Sequence, residues 1–316
     1  MTFTTRPEPE STAPAVAATE GLRSWLYAPG SHPERIAKAL ASGADAVVID
    51  LEDAVPPEDK DQARESAVRA AEEHHADPGG PRLWVRMNDP VGRWGEDDLE
   101  AVTNAPFDGI RVPHAESPSV VRQVALRAGR PLQLLLESAA GLIKAHELAS
   151  ADPLVAGVGL GEADLAADLQ VLSDEGLAWA RGWVVAAARA AGLASPIQSV
   201  WTNVADIEGL RTSTLHASRT GFWGRSVVHP RQIPVVHGVF AVSAQAVAES
   251  VATVQTFEQA RLRGESAVLD ELGRLLDPAV VARARVVLQR HEHSIRESGD
   301  PPGSSGGTAN PGQEHQ

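Results

Sequence analysis

Short apolar runs recur along the chain, separated by Ala-rich amphipathic stretches. The runs are SWLYAP (24–29), AVVIDLE (46–52), LWVRMN (83–88), GIRVP (109–113), LQLLLE (132–137), VAGVGLGE (155–162), PIQSVW (196–201) and SVVHP (226–230). Several are apolar without alternation, the pattern of strands covered on both faces, while segments such as PERIAKALASGA (33–44) carry helical spacing closed by glycine. Strand and helix in succession predict a parallel sheet, and eight such units between residues 22 and 240 predict a closed (β/α)8 TIM barrel as the catalytic domain. After His237 two helices are predicted, at 243–263 and about 278–291, separated by RGESAVLDELGRLLD. They form a C-terminal helical extension, or lid, over 241–296. The ends, 1–21 and 297–316, lack the apolar content that offsets ordering entropy and are predicted to be disordered tails.

Composition narrows the chemistry. Of 316 residues 43% are hydrophobic, enough for a sizeable core, and 28 Lys and Arg against 42 Asp and Glu give a net charge of −14. That sign argues against partners that present phosphate, so neither nucleic acid nor an anionic membrane surface is expected. With no cysteine, disulfides, thiolate zinc sites and cysteine nucleophiles are excluded, leaving carboxylate, imidazole and guanidinium chemistry and a hard metal. Neither a basic leader nor an apolar run long enough to cross a bilayer is read from the sequence, and a cytoplasmic location is expected.

In a barrel of this kind the C-terminal ends of the strands form the active face. The runs place polar residues there repeatedly: Asp50, Glu52 and Asp53; Arg86 and Asn88; Glu137; Glu162 and Asp164; His229. Glu137 alone reads equally as a helix cap or an ion-pair partner. Paired with Asp164, it makes the carboxylate set that suits Mg²⁺, which keeps several waters and takes further ligands from substrate oxygens. Arg86 reads in two ways, as a bidentate clamp for an anionic substrate or as an ion pair to Glu52 or Asp50 within the barrel mouth. The glycines of GVGLGEAD lead into Glu162 and Asp164, which would repel a pyrophosphate, so a dinucleotide loop is rejected. His74, His75, His291 and His293 read as solvated imidazoles, and the tryptophans as core or subunit contacts.

The segments RSWLYAPGSHPERIAKAL, DAVVIDLEDAVPPEDKDQAR, LWVRMND, GIRVPHAES, LLLESAAGL, GLGEADLAADL and GRSVVHPRQI, in this order, resemble the citrate lyase β-subunit-like (CitE-like), malyl-CoA lyase-like branch of the HpcH/HpaI aldolases over about residues 22 to 295. The resemblance implies a (β/α)8 barrel, Mg²⁺, and cleavage or formation of a C–C bond between an acyl-CoA and a 2-oxo acid, with malyl-CoA, methylmalyl-CoA and citryl-CoA as typical substrates. It places the metal carboxylates on Glu137 and Asp164 and the 2-oxo acid clamp on Arg86, with Glu52 and Asp53 near metal-bound water. A catalytic Asp from the C-terminal extension of a neighbouring subunit falls on Asp277, which also reads as the N-cap of the last helix. A shared site implies a homo-oligomer, trimer or hexamer. Arg23, Tyr27, Pro29 and Lys60 align with positions that border the CoA end. The chain departs from the pattern at His114, where a lysine is common, and at Gln198, where an acidic residue is expected. Two rival readings remain: thioester hydrolysis or a condensation of the malate synthase type on the same scaffold, and a non-catalytic acyl-CoA binder or lyase-complex subunit.

Overall fold

The computed structural model describes residues 14–75 and 79–298. The chain divides into two compact units, one ending at Phe240 and one beginning at Ala241. In the first, strands β1 (Ser24–Pro29), β2 (Ala46–Asp50), β3 (Arg82–Arg86), β4 (Gly109–Val112), β5 (Leu132–Leu136), β6 (Val155–Leu160) and β7 (Arg225–Val227) form one parallel sheet in the order β6-β5-β4-β3-β2-β1-β7. Helices cross over between them, beginning with Pro33–Leu40 and Lys60–His75. Pro33 and Pro118 open helices where no N–H is needed, and Gly129, at φ 59, ends helix Pro118–Ala128 by donating to Ala125 O at 2.9 Å.

Alternate residues of each strand serve different cores. Leu26, Val47, Ile49, Leu83 and Val85 pack outward under the helices, whereas Trp25, Ala46, Val48 and Trp84 point into the curled sheet. Trp25 and Trp84 meet edge to face with centroids 5.1 Å apart. Gly109 leaves room for this pair, since a Cβ there would lie 2.4 Å from the Trp84 ring. Arg111 fills the interior above them: its Nη1 donates to Tyr27 Oη at 2.7 Å and to Ser226 Oγ at 3.1 Å, and its guanidinium stands 5.0 Å from the Trp25 ring. Asp50 and Arg86 follow at the strand ends.

The sheet has seven strands, which corrects the closed eight-stranded barrel read from the sequence. PIQSVW (196–201) makes a single bridge, Gln198 to Arg225. Pro196 brings no N–H to a ladder, and on the β6 side the Ser199 hydroxyl, rather than the backbone, bonds to Leu160 O. The architecture is therefore TIM-barrel-like, with its eighth position occupied by irregular chain.

Two further expectations change. Pro14–Ala17 is helical, with Ala15 and Val16 buried and Thr19 Oγ1 donating to Ala156 O at 3.2 Å. The expected tail 1–21 is thus ordered from residue 14: its few apolar side chains find the underside of the sheet. Residues 1–13 and 299–316, the rest of the two expected tails, lie outside the described residues. Pro230–Leu262 is also long and apolar enough by composition to cross a bilayer, with an 18-residue window of mean hydropathy 1.4, contrary to the sequence reading. As folded it is broken at 241–243, between helices Ile233–Phe240 and Ala244–Leu262.

In the second unit, helix Ala244–Leu262 is capped by Ser243, whose Oγ accepts from Ala246 N at 3.1 Å. A short antiparallel hairpin, β8 (Val268–Leu269) with β9 (Leu275–Leu276), leads to helix Pro278–Ser298. Phe257, Leu276 and Val281 make the unit's own core.

Candidate active site

Charge gathers at the strand ends because polar residues close β2 and β3 and lie just beyond β4, β5 and β6. Asp50 closes β2 and Arg86 closes β3, as register partners. Arg86 donates from Nε to Asp50 Oδ1 and from Nη2 to Asp50 Oδ2, both at 2.7 Å. Its Nη1 lies 2.7 Å from Glu52 Oε2 and 3.1 Å from Asp53 Oδ2, and the guanidinium stands 5.1 Å from the Tyr27 ring. Burial opposes this charge, but the attraction of Asp50 outweighs it and keeps the guanidinium firmly protonated. The ion pairs read from the sequence, to Asp50 and to Glu52, are both present. Asp50 also accepts from Glu52 N at 3.0 Å and Ala54 N at 3.2 Å, fixing the loop that carries Glu52 and Asp53.

Glu137 follows β5 directly and is 5% exposed. Burial pushes its carboxyl up to about 7, although the His114 N–H opposes the shift. That N–H reaches Glu137 Oε1 at 2.9 Å. Glu137 Oε2 rests against Gly161, where a Cβ would lie 2.3 Å away. Gly161 precedes helix Glu162–Asp168, whose first turn carries Asp164, exposed and one strand over from Glu137. Glu162 turns away into a paired contact with Arg181, at 2.9 and 2.6 Å.

His114 joins the two halves. Its ring Nε2 lies 3.2 Å from Glu52 Oε1, and this contact raises the imidazole to about 9. Its backbone sits at φ 49, a conformation that costs a non-glycine residue about 1 kcal/mol. The ring also lines a cavity of about 340 Å³ with Glu52, Asp53, Lys60, Arg93 and Trp94. The sequence singles out His114 as a departure and Asp50 as a strand-end acid, yet assigns neither a place in the site. The signal for both is a polar residue where an apolar run stops.

Of the residues aligned with the CoA end, Arg23 lies away from the mouth and Lys60 is tied up beside it. Arg23 precedes β1, at the opposite end of the strands from Glu137, and donates to Asp45 from Nε and Nη2 at 3.1 Å. Lys60 is buried, with Nζ donating to Leu51 O at 2.7 Å, Glu52 O at 2.8 Å and Asn88 Oδ1 at 2.6 Å. Three N–H groups with three partners leave it a brace for the Glu52 loop. Tyr27 does face the barrel interior, between Arg86 and Arg111. Gln198 Oε1 accepts from buried Arg225 Nη1 at 2.7 Å. Asp277 belongs to the second unit, where its Oδ1 caps the last helix by accepting from Val280 N at 2.9 Å.

Among the described residues no three His, Cys, Asp or Glu side chains form a ready-made metal cluster. The mouth nevertheless carries Asp50, Glu52, Asp53, Glu137 and Asp164 against Arg86 and a protonated His114. This excess of oxygen charge includes one buried carboxylate without a cation bonded to it.

Residues 23–230 match the HpcH/HpaI aldolase/citrate lyase family. The chain belongs to that family. The chain is 30% identical to the L-malyl-CoA/beta-methylmalyl-CoA lyase of Rhodobacter capsulatus over 326 residues, covering 92% of this chain and 99% of that one. It is 34% identical to a (3S)-malyl-CoA thioesterase of Cereibacter sphaeroides over 280 residues, 86% of this chain and 95% of the relative. Among solved structures, CitE from Mycobacterium tuberculosis in complex with magnesium, acetoacetate and coenzyme A superposes with a TM-score of 0.72 at 30% identity, over 85% of this chain and 98% of that one. These relatives act on CoA esters or bind CoA, and their lengths agree with that of this HpcH/HpaI chain.

Proposed function

We propose that the chain is a Mg²⁺-dependent carbon–carbon lyase that cleaves or forms a 3-hydroxyacyl-CoA, such as malyl-CoA, methylmalyl-CoA or citryl-CoA, giving an acyl-CoA and a 2-oxo acid. The observation that carries this reading is a buried Glu137 beside Gly161 and the Asp164 turn, with Arg86 held at the same mouth by Asp50.

The residues present suit a magnesium ion. Glu137 is a desolvated carboxylate and Asp164 an exposed one on the next strand, a pair that leaves room for water and substrate oxygens. Bound there, Mg²⁺ supplies Lewis-acid polarisation of the oxygens of the 2-oxo fragment. Arg86 binds the carboxylate or developing alkoxide of that fragment through Nη1 as exposed Asp53 gives way, with Asp50 fixing its plane. Glu52 and Asp53 orient water at the mouth, and Tyr27 borders the thioester end. In the cleavage direction a carboxylate at the mouth takes the proton of the 3-hydroxyl as base, the C–C bond breaks to leave the 2-oxo acid, and the electron pair passes to the thioester as an enolate, which takes a proton at carbon. Asp277 of a neighbouring copy is assigned that proton transfer. This makes the working enzyme a homo-oligomer, trimer or hexamer, in the cytoplasm with its soluble CoA substrates.

The test is incubation of the purified chain and Mg²⁺ with malyl-, methylmalyl- and citryl-CoA, with products read by mass spectrometry. Acyl-CoA together with a 2-oxo acid is expected. Free CoA with an intact hydroxy acid would establish hydrolysis instead, the reaction in the name of the Cereibacter relative. Retained CoA binding with no turnover would leave a binder.

A further inference from the structure

We infer that His114 is a positioning residue that ties the carboxylate assigned to metal binding to the guanidinium assigned to 2-oxo acid binding, through its main-chain N–H on one side and its ring on the other. The inference deepens the lyase reading and rests on it for the roles of the two groups, though not for the linkage itself.

The linkage runs through one hydrogen bond and two ion-pair contacts. Glu137 Oε1 accepts the His114 N–H at 2.9 Å; His114 Nε2 meets Glu52 Oε1 at 3.2 Å; Glu52 Oε2 lies 2.7 Å from Arg86 Nη1. One residue on the end of β4 thus spans from the end of β5 to the ends of β2 and β3. The conformation is bought at a local disadvantage: among the described residues only His114 and Gln170 hold positive φ without being glycine. Packing of the ring does not account for it, since the side chain is 47% exposed. The ring stands between two cavities, one of about 340 Å³ beside Trp94 and one of about 290 Å³ beside Val112 and Val121. The left-handed backbone turns the N–H toward Glu137 while the ring is free to reach Glu52, and an extended backbone would not aim both donors this way.

Glycine and glutamine at this position separate the two arms. His114→Gly keeps the main-chain donor, accepts φ 49 without strain, and removes only the ring. His114→Gln restores a neutral Nε2 donor of similar reach. Two readouts apply: steady-state kinetics on the productive CoA ester, and solvent exchange of the Arg86 Nε–H followed by NMR in the substrate-free protein. His114→Gly is expected to fold with unchanged melting temperature, to lower kcat at least tenfold with KM for the CoA ester within threefold, and to speed Arg86 exchange at least fivefold. His114→Gln should recover most of both. Wild-type kcat and wild-type Arg86 exchange in His114→Gly would overturn the proposal, as would failure of His114→Gln to recover either. If the wild-type protein turns over no CoA ester, the lyase reading fails, and the exchange measurement still decides whether His114 orders Arg86.

Discussion

Asp50 and Arg86 face each other across β2 and β3 with two N–H···O bonds of 2.7 Å. This fork fixes the guanidinium plane, and because Asp50 also accepts Glu52 N and Ala54 N the same carboxylate sets the loop above it. Asp50→Asn places an amide N–H against a donor, so Arg86 loses its orientation. A fall in kcat/KM of about 100-fold is expected, an effect within the range for misplacing a reacting group, with the far-ultraviolet circular dichroism unchanged. Arg86→Lys should be equally damaged because an ammonium has no fork; near-normal kinetics in either variant would remove the clamp.

Removing the charge of Glu137 should separate stability from function. Burial pushes this carboxyl from 4.5 to about 7, so in the folded, chelator-treated protein ionisation at pH 8 is unfavourable relative to the unfolded chain. The stability is present below about pH 4.5 and lost as pH rises through 7. Glu137→Gln is therefore expected to raise the unfolding free energy at pH 8 by on the order of 2 kcal/mol, with the gain vanishing near pH 4. Turnover, and the rise in Tm on adding Mg²⁺, should both disappear. Thermal scans with and without Mg²⁺ measure this.

Gly161 offers a milder probe. Its backbone, at φ −86, suits alanine, but the added methyl would lie 2.3 Å from Glu137 Oε2. Gly161→Ala should raise the Mg²⁺ concentration for half-maximal activity about tenfold, as expected when a group supporting a metal ligand is disturbed, while Tm changes little. An unaltered Mg²⁺ dependence would show that Glu137 moves aside freely.

Asp45 provides a control at the other end of the strands. Burial raises its pKa, yet hydrogen bonds from His237 and Arg23 outweigh that and hold it at about 2 rather than 3.8. The depressed value stabilises the fold above pH 3.8 and the benefit is lost as pH falls through 2. The difference in urea unfolding free energy between wild type and Asp45→Asn is expected to be about 2 kcal/mol near pH 6 and to shrink between pH 4 and 2.

Asp277 calls for a complementation test. Neither Asp277→Asn nor Arg86→Ala should turn over alone, but verified mixed oligomers should recover up to about a quarter of wild-type activity if each site draws on two copies. No recovery would confine the reaction to one chain.

Alternation of apolar and amphipathic segments made the parallel sheet and its crossover helices legible, and polar residues in or just after several runs pointed to Arg86, Glu137 and Asp164 as candidates. The eighth strand was not legible, because PIQSVW has a strand's composition and only its unusable Pro196 N–H and the competing Ser199 hydroxyl decide against a ladder. Arg23 and Lys60 carry the right charge for CoA phosphates, but strand direction places one at the far end of the sheet and three oxygens surround the other. The role of His114 depends on the sign of one dihedral angle, which a sequence does not display.

The helix Pro14–Ala17 has a practical consequence. Ala15 shares a buried cluster with Trp25 and Trp84, so it stoppers the underside of the curled sheet, at the end away from the candidate site. Trimming the gene to begin at Leu22, the boundary that composition alone recommends, would uncork that floor and let solvent in beneath the two indoles.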